Sequence, residues 1–317
     1  MAYRELDVLL VKTQAAIGTA QESLANTDFM AVDKNFTLDF NQEQATPDMV
    51  AGIFGQTQQV PGLYSYDAKI TLPIIPTGTS TEPTVGALLK ASGMTVSTTT
   101  NKHTYSPSST YTAWKDVTLW SYTGDKASGD SLLSKAHSCM FDWTLTAEVG
   151  QPCMLEFTGR GPAYAIPAAA TYVSGSLAPL SAAIPAVLKA TTVTIAAQTY
   201  KLLKFTTTIG NEVRLLKDPR ATGGYFRGDI AKRTSKWTAT VYQENLSDLD
   251  PHTELNTPSF TSFSIVWGTA GSRIKVAADT NKAQITSVKN VDEEGIKVFE
   301  LEGIFVDNGF TLVVNED

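Results

Sequence analysis

Short runs of Thr, Val, Ile and aromatic residues alternate with polar ones along most of the chain, each run bounded by Gly, Pro, Asn or Asp. A period of two places every second side chain on one face, which is the mark of a half-buried strand. Clear cases are Asn35 to Phe40, Ala68 to Leu72, Asp116 to Trp120, Phe141 to Ala147, Cys153 to Phe157, Lys236 to Tyr242 and Lys297 to Leu301. The pattern predicts a mainly β protein of packed antiparallel sheets, in a sandwich or barrel. One segment has a different period: Thr84 to Ser92 sets Val85, Leu88 and Leu89 on one helical face, and Gly93 follows as a stop. This predicts a short helix flanking a sheet.

From Gly161 to Pro185 the chain turns rich in Ala, Pro, Ser and Gly with no clear period. Such a composition predicts a linker at 161–185, separating a first domain at 1–160 from a second at 186–317. The two sides resemble each other. Strands end in Trp120 and Trp267, and Lys135-Ala136 follows the first Trp at the same distance as Lys282-Ala283 follows the second. Each side closes on a hairpin whose returning strand reads apolar, Glu, apolar, polar, Gly, at Leu155 to Gly159 and Phe299 to Gly303. Further back, Phe36-Thr37-Leu38 with Asn41 and Glu43 lies over Phe205-Thr206-Thr207 with Asn211 and Glu212, and Ala68 to Leu72 over Trp237 to Val241. The expectation is an internal duplication. Only the helix lacks a full counterpart, because Asn245 to Leu255 is interrupted by Pro251.

Composition adds limits. The 317 residues are 42% hydrophobic and only 18% charged, with a net charge of −7, so a folded chain with much of its surface covered by partners is expected. No stretch of Lys and Arg forms the basic stripe that gripping a duplex requires. No apolar stretch could span a bilayer, and acidic residues beside the short apolar run at the start do not make a signal segment, so neither membrane insertion nor export is expected. If a hairpin turns near Gly150, Cys139 lies opposite a residue near Arg160 and not opposite Cys153, so both thiols are expected to be reduced.

Candidate chemistry is sparse. His103, His137 and His252 show no metal-ligand spacing with Cys or carboxylates, and the glycines of Ala221 to Gly224 and Thr158 to Gly161 lack a phosphate-loop pattern. No catalytic residue, cofactor or metal ligand is assigned. Asp292-Glu293-Glu294-Gly295 is read as a solvated hairpin tip, with Ca²⁺ binding or a place facing a channel left open. Lys232-Arg233 with Arg214, Arg220 and Arg227 is either a patch for an acidic neighbour or scattered surface charge.

The second half runs Phe205 to Glu212, Asp218-Pro219, Gly223-Gly224-Tyr225, then the strand from Lys236. The first contributes Lys12-Thr13 with Gly18-Thr19, Gly62 before Ala68 to Pro73, and Pro83 to Gly93. This order resembles the tail tube proteins (major tail proteins) of long-tailed bacteriophages. The resemblance implies two tandem β modules, each with two packed antiparallel sheets and a flanking helix. It also implies rings whose inner sheets close a barrel, and stacking into a tube for DNA ejection. With two modules per chain, three chains would make a pseudo-sixfold ring of net charge −21, three times −7, suited to a lumen that does not hold DNA. The implied partners are other copies of the chain and tape-measure, terminator and baseplate proteins. DNA would pass without specific binding, in a virion tail assembled in the host cytoplasm, with no enzymatic activity. Thr95 to Ala113 is read as a long loop reaching the next ring. The alternatives are a distal tail, baseplate or secretion-tube ring, and a two-domain carbohydrate-binding or adhesion module with Trp114, Trp120 and Tyr122 as a sugar platform.

Overall fold

The computed structural model describes residues 8–15, 24, 28–30, 32, 36–45, 59–124, 130–171, 185–189, 191–196, 198–243, 251–255, 262–269, 271–293 and 295–316. Strict alternation builds its central feature. In KWTATVY, for example, Trp237, Ala239 and Val241 are buried while the residues between them face out. Eight such strands form one continuous antiparallel run: β3 (Thr37–Ala45), β4 (Val60–Pro73), β9 (Met154–Thr171), β8 (Asp130–Glu148), β12 (Leu202–Thr208), β15 (Lys236–Tyr242), β19 (Ile296–Phe305) and β18 (Ala283–Glu293), paired in that order.

This run is two four-strand blocks with the same order and the same register. Leu38 pairs with Ala68 as Thr207 pairs with Trp237; Ala68 pairs with Gly159 as Trp237 pairs with Gly303; and Phe141 pairs with Gly159 as Ile285 pairs with Gly303. A constant offset of 169 residues, read from those pairs, relates β3–β4 to β12–β15. A Cβ at Gly159 would collide with the Met140 carbonyl and the Phe141 ring, and one at Gly303 with the Gln284 carbonyl and the Trp237 indole. The shared Gly therefore serves a backbone that aromatic rings approach closely. The spacing from Trp to Lys-Ala is different. Lys135 pairs with Trp120 across a hairpin, whereas Lys282 lies in a turn ahead of β18, so that match is coincidence.

The apolar face of the run carries Trp143, Phe157, Phe205 and Trp237, all buried in one core. Burying each large apolar side chain contributes roughly 1.5–3 kcal/mol. The lid is a second sheet of seven strands, paired β11 (Gln198–Thr199), β10 (Thr192–Ile195), β16 (Phe263–Trp267), β17 (Arg273–Ala278), β20 (Phe310–Glu316), β6 (Lys102–Pro107) and β5 (Met94–Thr99). At the other end, the first half of β8 continues outward to β7 (Val117–Gly124), β1 (Val8–Thr13) and β2 (Phe29–Met30). Both cysteines are free and buried, and Met140 pairs with Arg160 next to Cys139, as the hairpin reading expected.

Three expectations are corrected. Residues 161–171 of the expected linker are strand, the second half of β9, because small Ala side chains fit an extended edge as well as a linker; residues 172–184 lie outside those described. Thr95 to Ala113 is no free loop. It forms the β5–β6 hairpin, seated on β20 with Tyr105 opposite Leu312, followed by a 3-10 turn at Tyr111–Ala113. Pro251 does not interrupt a helix but begins one, α2 (Pro251–Leu255), since the first turn needs no N–H from it. The helix of the first half, α1 (Gly86–Ala91), buries Leu88 and Leu89 and stops at Gly93, which takes a left-handed φ of 73°.

Candidate functional site

Outward-facing residues of the eight-strand run form one broad polar face. Threonine dominates it: Thr37, Thr71, Thr158, Thr144, Thr146, Thr206, Thr208, Thr238 and Thr240 occupy positions that alternate with the core. Cations on this face are set beside carboxylates, although Asp39 stands opposite Asp67. Lys69 Nζ lies 3.1 Å from Glu156 Oε1, Arg160 Nε 2.8 Å from Asp67 Oδ1, Lys289 bonds Glu302, and Lys204 stands opposite Glu148 across the β8–β12 junction. Such a surface presents hydroxyls and compensated cations, with no basic cluster of the kind that holds phosphate. Asp292 Oδ1 accepts the Gly295 N–H at 2.8 Å, which shapes the tip of the β18–β19 hairpin at one end of this face.

Two further features bear on the run. Among the described residues, β3 and β18 are its outer strands and neither pairs with a further strand, although α2 packs against β18, whereas β8 and β12 pair across the junction of the blocks from Lys204–Glu148 to Thr208–Thr144. An edge of this kind is an aggregation hazard unless something pairs with it. The second feature is a strap. The hairpin of β13 (Asn211–Lys217) and β14 (Tyr225–Arg233) leaves the second block and lies on the first. Asn211 N–H donates to Asp142 Oδ1 at 2.8 Å, and its side-chain amide donates to Ser92 O and Phe141 O. Burial lifts the Asp142 carboxyl above the ordinary range against these donors. Arg233 donates to Asn211 Oδ1 and to the carbonyls of Ser92, Gly93 and Ser108, and Tyr225 Oη donates to Glu43 Oε1 at 2.6 Å.

A family model described as phage tail tube protein matches residues 7–295. The chain belongs to the phage tail tube protein family. It is therefore a structural component of a phage tail. No curated protein matches it.

In this tail tube protein the residues singled out from sequence fall as follows. Four residues of the basic cluster have partners inside the chain: Arg214 and Arg227 on Asp229, Arg220 on Asp218, and Arg233 on backbone carbonyls, with Arg227 also stacked 4.3 Å over Tyr111; Lys232 is exposed. The acceptors of Arg214, Arg220 and Arg227 lie within the β13–β14 hairpin, and those of Arg233 also include the first block. Trp114, Trp120 and Tyr122 form no platform. Trp120 and Tyr122 are buried, with the Lys135 ammonium over the Trp120 ring, and Trp114 is tied to Ser108 O. His103 bonds Thr98 and Thr79 in the core, His137 meets Ser138, and His252 packs edge-on to Phe299. Among the described residues, no three His, Cys, Asp or Glu side chains group as metal ligands. The strap was missed from sequence, although the constant offset that links β3–β4 with β12–β15 would have marked Asn211 and Arg233 as the hairpin counterpart of Gln42 and Tyr64.

Proposed function

We propose that this tail tube protein closes head to tail into three-chain rings of pseudo-sixfold symmetry, each chain carrying two duplicated tube modules, and that the rings stack into the tail tube. The β8–β12 junction carries this reading. It joins two blocks of equal order and register, and the strands in the same positions at the chain's two ends, β18 and β3, are open. Closing the ring repeats the internal junction between chains. A heterologous contact that closes leaves no free edge, which removes the hazard a lone protomer carries. Transferring the register sets Val291 opposite Thr37 and Lys289 opposite Asp39 of the next copy, an attractive pair.

The polar face then lines the lumen. Thr hydroxyls, compensated cations and the facing carboxylates of Asp39 and Asp67 let DNA pass during ejection without specific binding, and no chemistry is catalysed. Other copies of the chain, the tape-measure, terminator and baseplate proteins are the partners, and assembly takes place in the host cytoplasm. The test is a double variant, Val291→Cys with Thr37→Cys, oxidised mildly and run without reductant. The two native thiols are buried and do not compete. A ladder of one, two and three chains that ends in a closed trimer is expected. No cross-link, or a ladder running to six chains, contradicts the three-chain ring.

A further inference from the structure

The acidic run Asp292-Glu293-Glu294-Gly295 and the basic strap lie at opposite ends of the eight-strand run. Strand β19 pairs with β15 from Ile304–Lys236 to Val298–Tyr242, so the β18–β19 hairpin turns beyond the Tyr242 end of β15. The strap leaves β12 after Thr208 and returns to β15 at Lys236, and these two residues face each other at the other end. It then crosses the first block at that same end. Strand β8 passes Thr208 at Thr144 and reaches Met140 beyond it, where a Cβ on Gly228 of the strap would meet the Met140 nitrogen at 3.0 Å and the Arg160 carbonyl oxygen at 2.9 Å. Further along, Gly223 O accepts the Tyr64 N–H at 3.1 Å.

The two ends are matched in charge and in exposure. Every described residue of the β18–β19 hairpin from Lys289 to Lys297 is exposed, Ile296 to 49%. Between Asn290 and Lys297 three carboxylates stand against one amine, a net charge of −2. The strap, Asn211 to Arg233, carries six cations against three carboxylates, a net charge of +3 in a chain of −7. Arg214 and Arg220 stay largely in solvent despite their partners, and Lys217 and Lys232 are exposed. A bulge between Leu216 and Lys217 leaves Phe226 without an opposite residue, and its ring is 42% exposed. Each end therefore sets an exposed apolar side chain among charges of one sign, and the two signs are opposite.

We infer that the strap is the docking surface for the β18–β19 hairpin of a copy in the adjoining ring, with Glu293 and Ile296 of the hairpin meeting Lys217 and Phe226 of the strap. This rests on the ring reading: when the runs of three chains close a barrel, their strand ends become its two rims. Each chain then offers one acidic hairpin at one rim and one basic strap at the other, so a ring carries three of each. The contact joins two different surfaces and is repeated without closing, which is the geometry of a filament. Stacking with either rim against its like would set −2 on −2 or +3 on +3, so the same charges fix the direction in which rings add.

Two charge reversals on the full chain, Lys217→Glu and Glu293→Lys, test this, with native mass spectrometry for the ring and electron microscopy for tube length. Both positions are exposed, so each variant should melt as the parent does and form three-chain rings. Each alone should shorten tubes roughly tenfold or more, because like charges then meet at every stacking contact. Preformed rings of the two variants, mixed in equal amounts, should stack again, since every contact between alternating rings joins opposite charges. Tubes of parental length from either single variant, or a mixture that does not recover, would overturn this inference while the ring stands. Parent rings that never stack at any concentration would do the same. If Lys217→Glu keeps its tubes and instead loses retention on heparin, the strap serves a polyanion and the inference falls. If the Val291→Cys with Thr37→Cys chain gives no closed ladder and no ring is seen, the ring reading fails and takes this inference with it.

Discussion

Replacing Arg233 by Ala tests whether the strap holds the two blocks together. The guanidinium makes four hydrogen bonds: to Asn211 Oδ1 at 2.8 Å, Ser92 O at 3.1 Å, Gly93 O at 3.2 Å and Ser108 O at 3.3 Å. Hydrogen bonds from a charged donor are worth about 1.5–3 kcal/mol each, but the four do not add. Ser92 O keeps the Asn211 amide, and Gly93 O keeps the Ser108 N–H. Ser108 O keeps the Trp114 indole N–H, so the acceptor that loses its donor is Asn211 Oδ1. Against this, burial pulls the guanidinium down to about 10 despite the nearby Asp142, so part of the gain offsets desolvation. A net loss of about 2–4 kcal/mol follows, which for a chain of this size lowers Tm by on the order of 5–10 °C. Differential scanning calorimetry should be done on dissociated protomer, since assembly raises Tm by mass action. Arg233→Lys keeps the charge but not the planar fork and should recover less than half of the loss. A shift within about 1 °C for Arg233→Ala would refute the strap as a stabilising joint.

Further outcomes follow from the same packing. Gly303→Ala places a methyl against the Trp237 indole and the Gln284 carbonyl and should cost about 1–3 kcal/mol by denaturant titration, with Gly159→Ala behaving alike; two neutral results would contradict the shared register. Burial pushes the Cys153 thiol up to about 12 and Cys139 higher still, so an aromatic disulfide reagent should label neither in the folded chain and both in denaturant. His137 is pulled down to about 4 by burial, so the folded chain favours the neutral ring. The unfolded chain then binds the extra proton between about pH 6.5 and 4. Stability is complete above 6.5 and should fall by up to about 3 kcal/mol as pH drops to 4; His137→Gln should flatten that part of the pH profile, and an unchanged profile would contradict it.

Much of the fold was legible because period two is a strong signal where one face is buried. The motifs Leu155 to Gly159 and Phe299 to Gly303, and Ala68 to Leu72 with Trp237 to Val241, fall on paired strands in matching register. What stayed hidden was long-range. Nothing local in Tyr105 or His103 shows that their hairpin seats on β20 from the other end of the chain, and an Ala-rich segment reads the same as linker or as edge strand. The polar face was visible only as alternating Thr, and the compensation of Lys69 by Glu156 or Arg160 by Asp67 depends on neighbours that the sheet brings together. The basic cluster was ambiguous for the same reason, since Arg214 and Arg227 meet Asp229 only across the hairpin and Arg233 meets carbonyls far away in the chain.

The central claim is that one chain supplies two of six positions in a ring. Native mass spectrometry of the smallest closed species, paired with end-on electron-microscopy class averages, tests it most directly. The account predicts a mass of three chains and six similar lobes around a central hole, with threefold symmetry in fine detail. A ring of six chains with twelve lobes, or a closed species with an odd number of lobes, would contradict it.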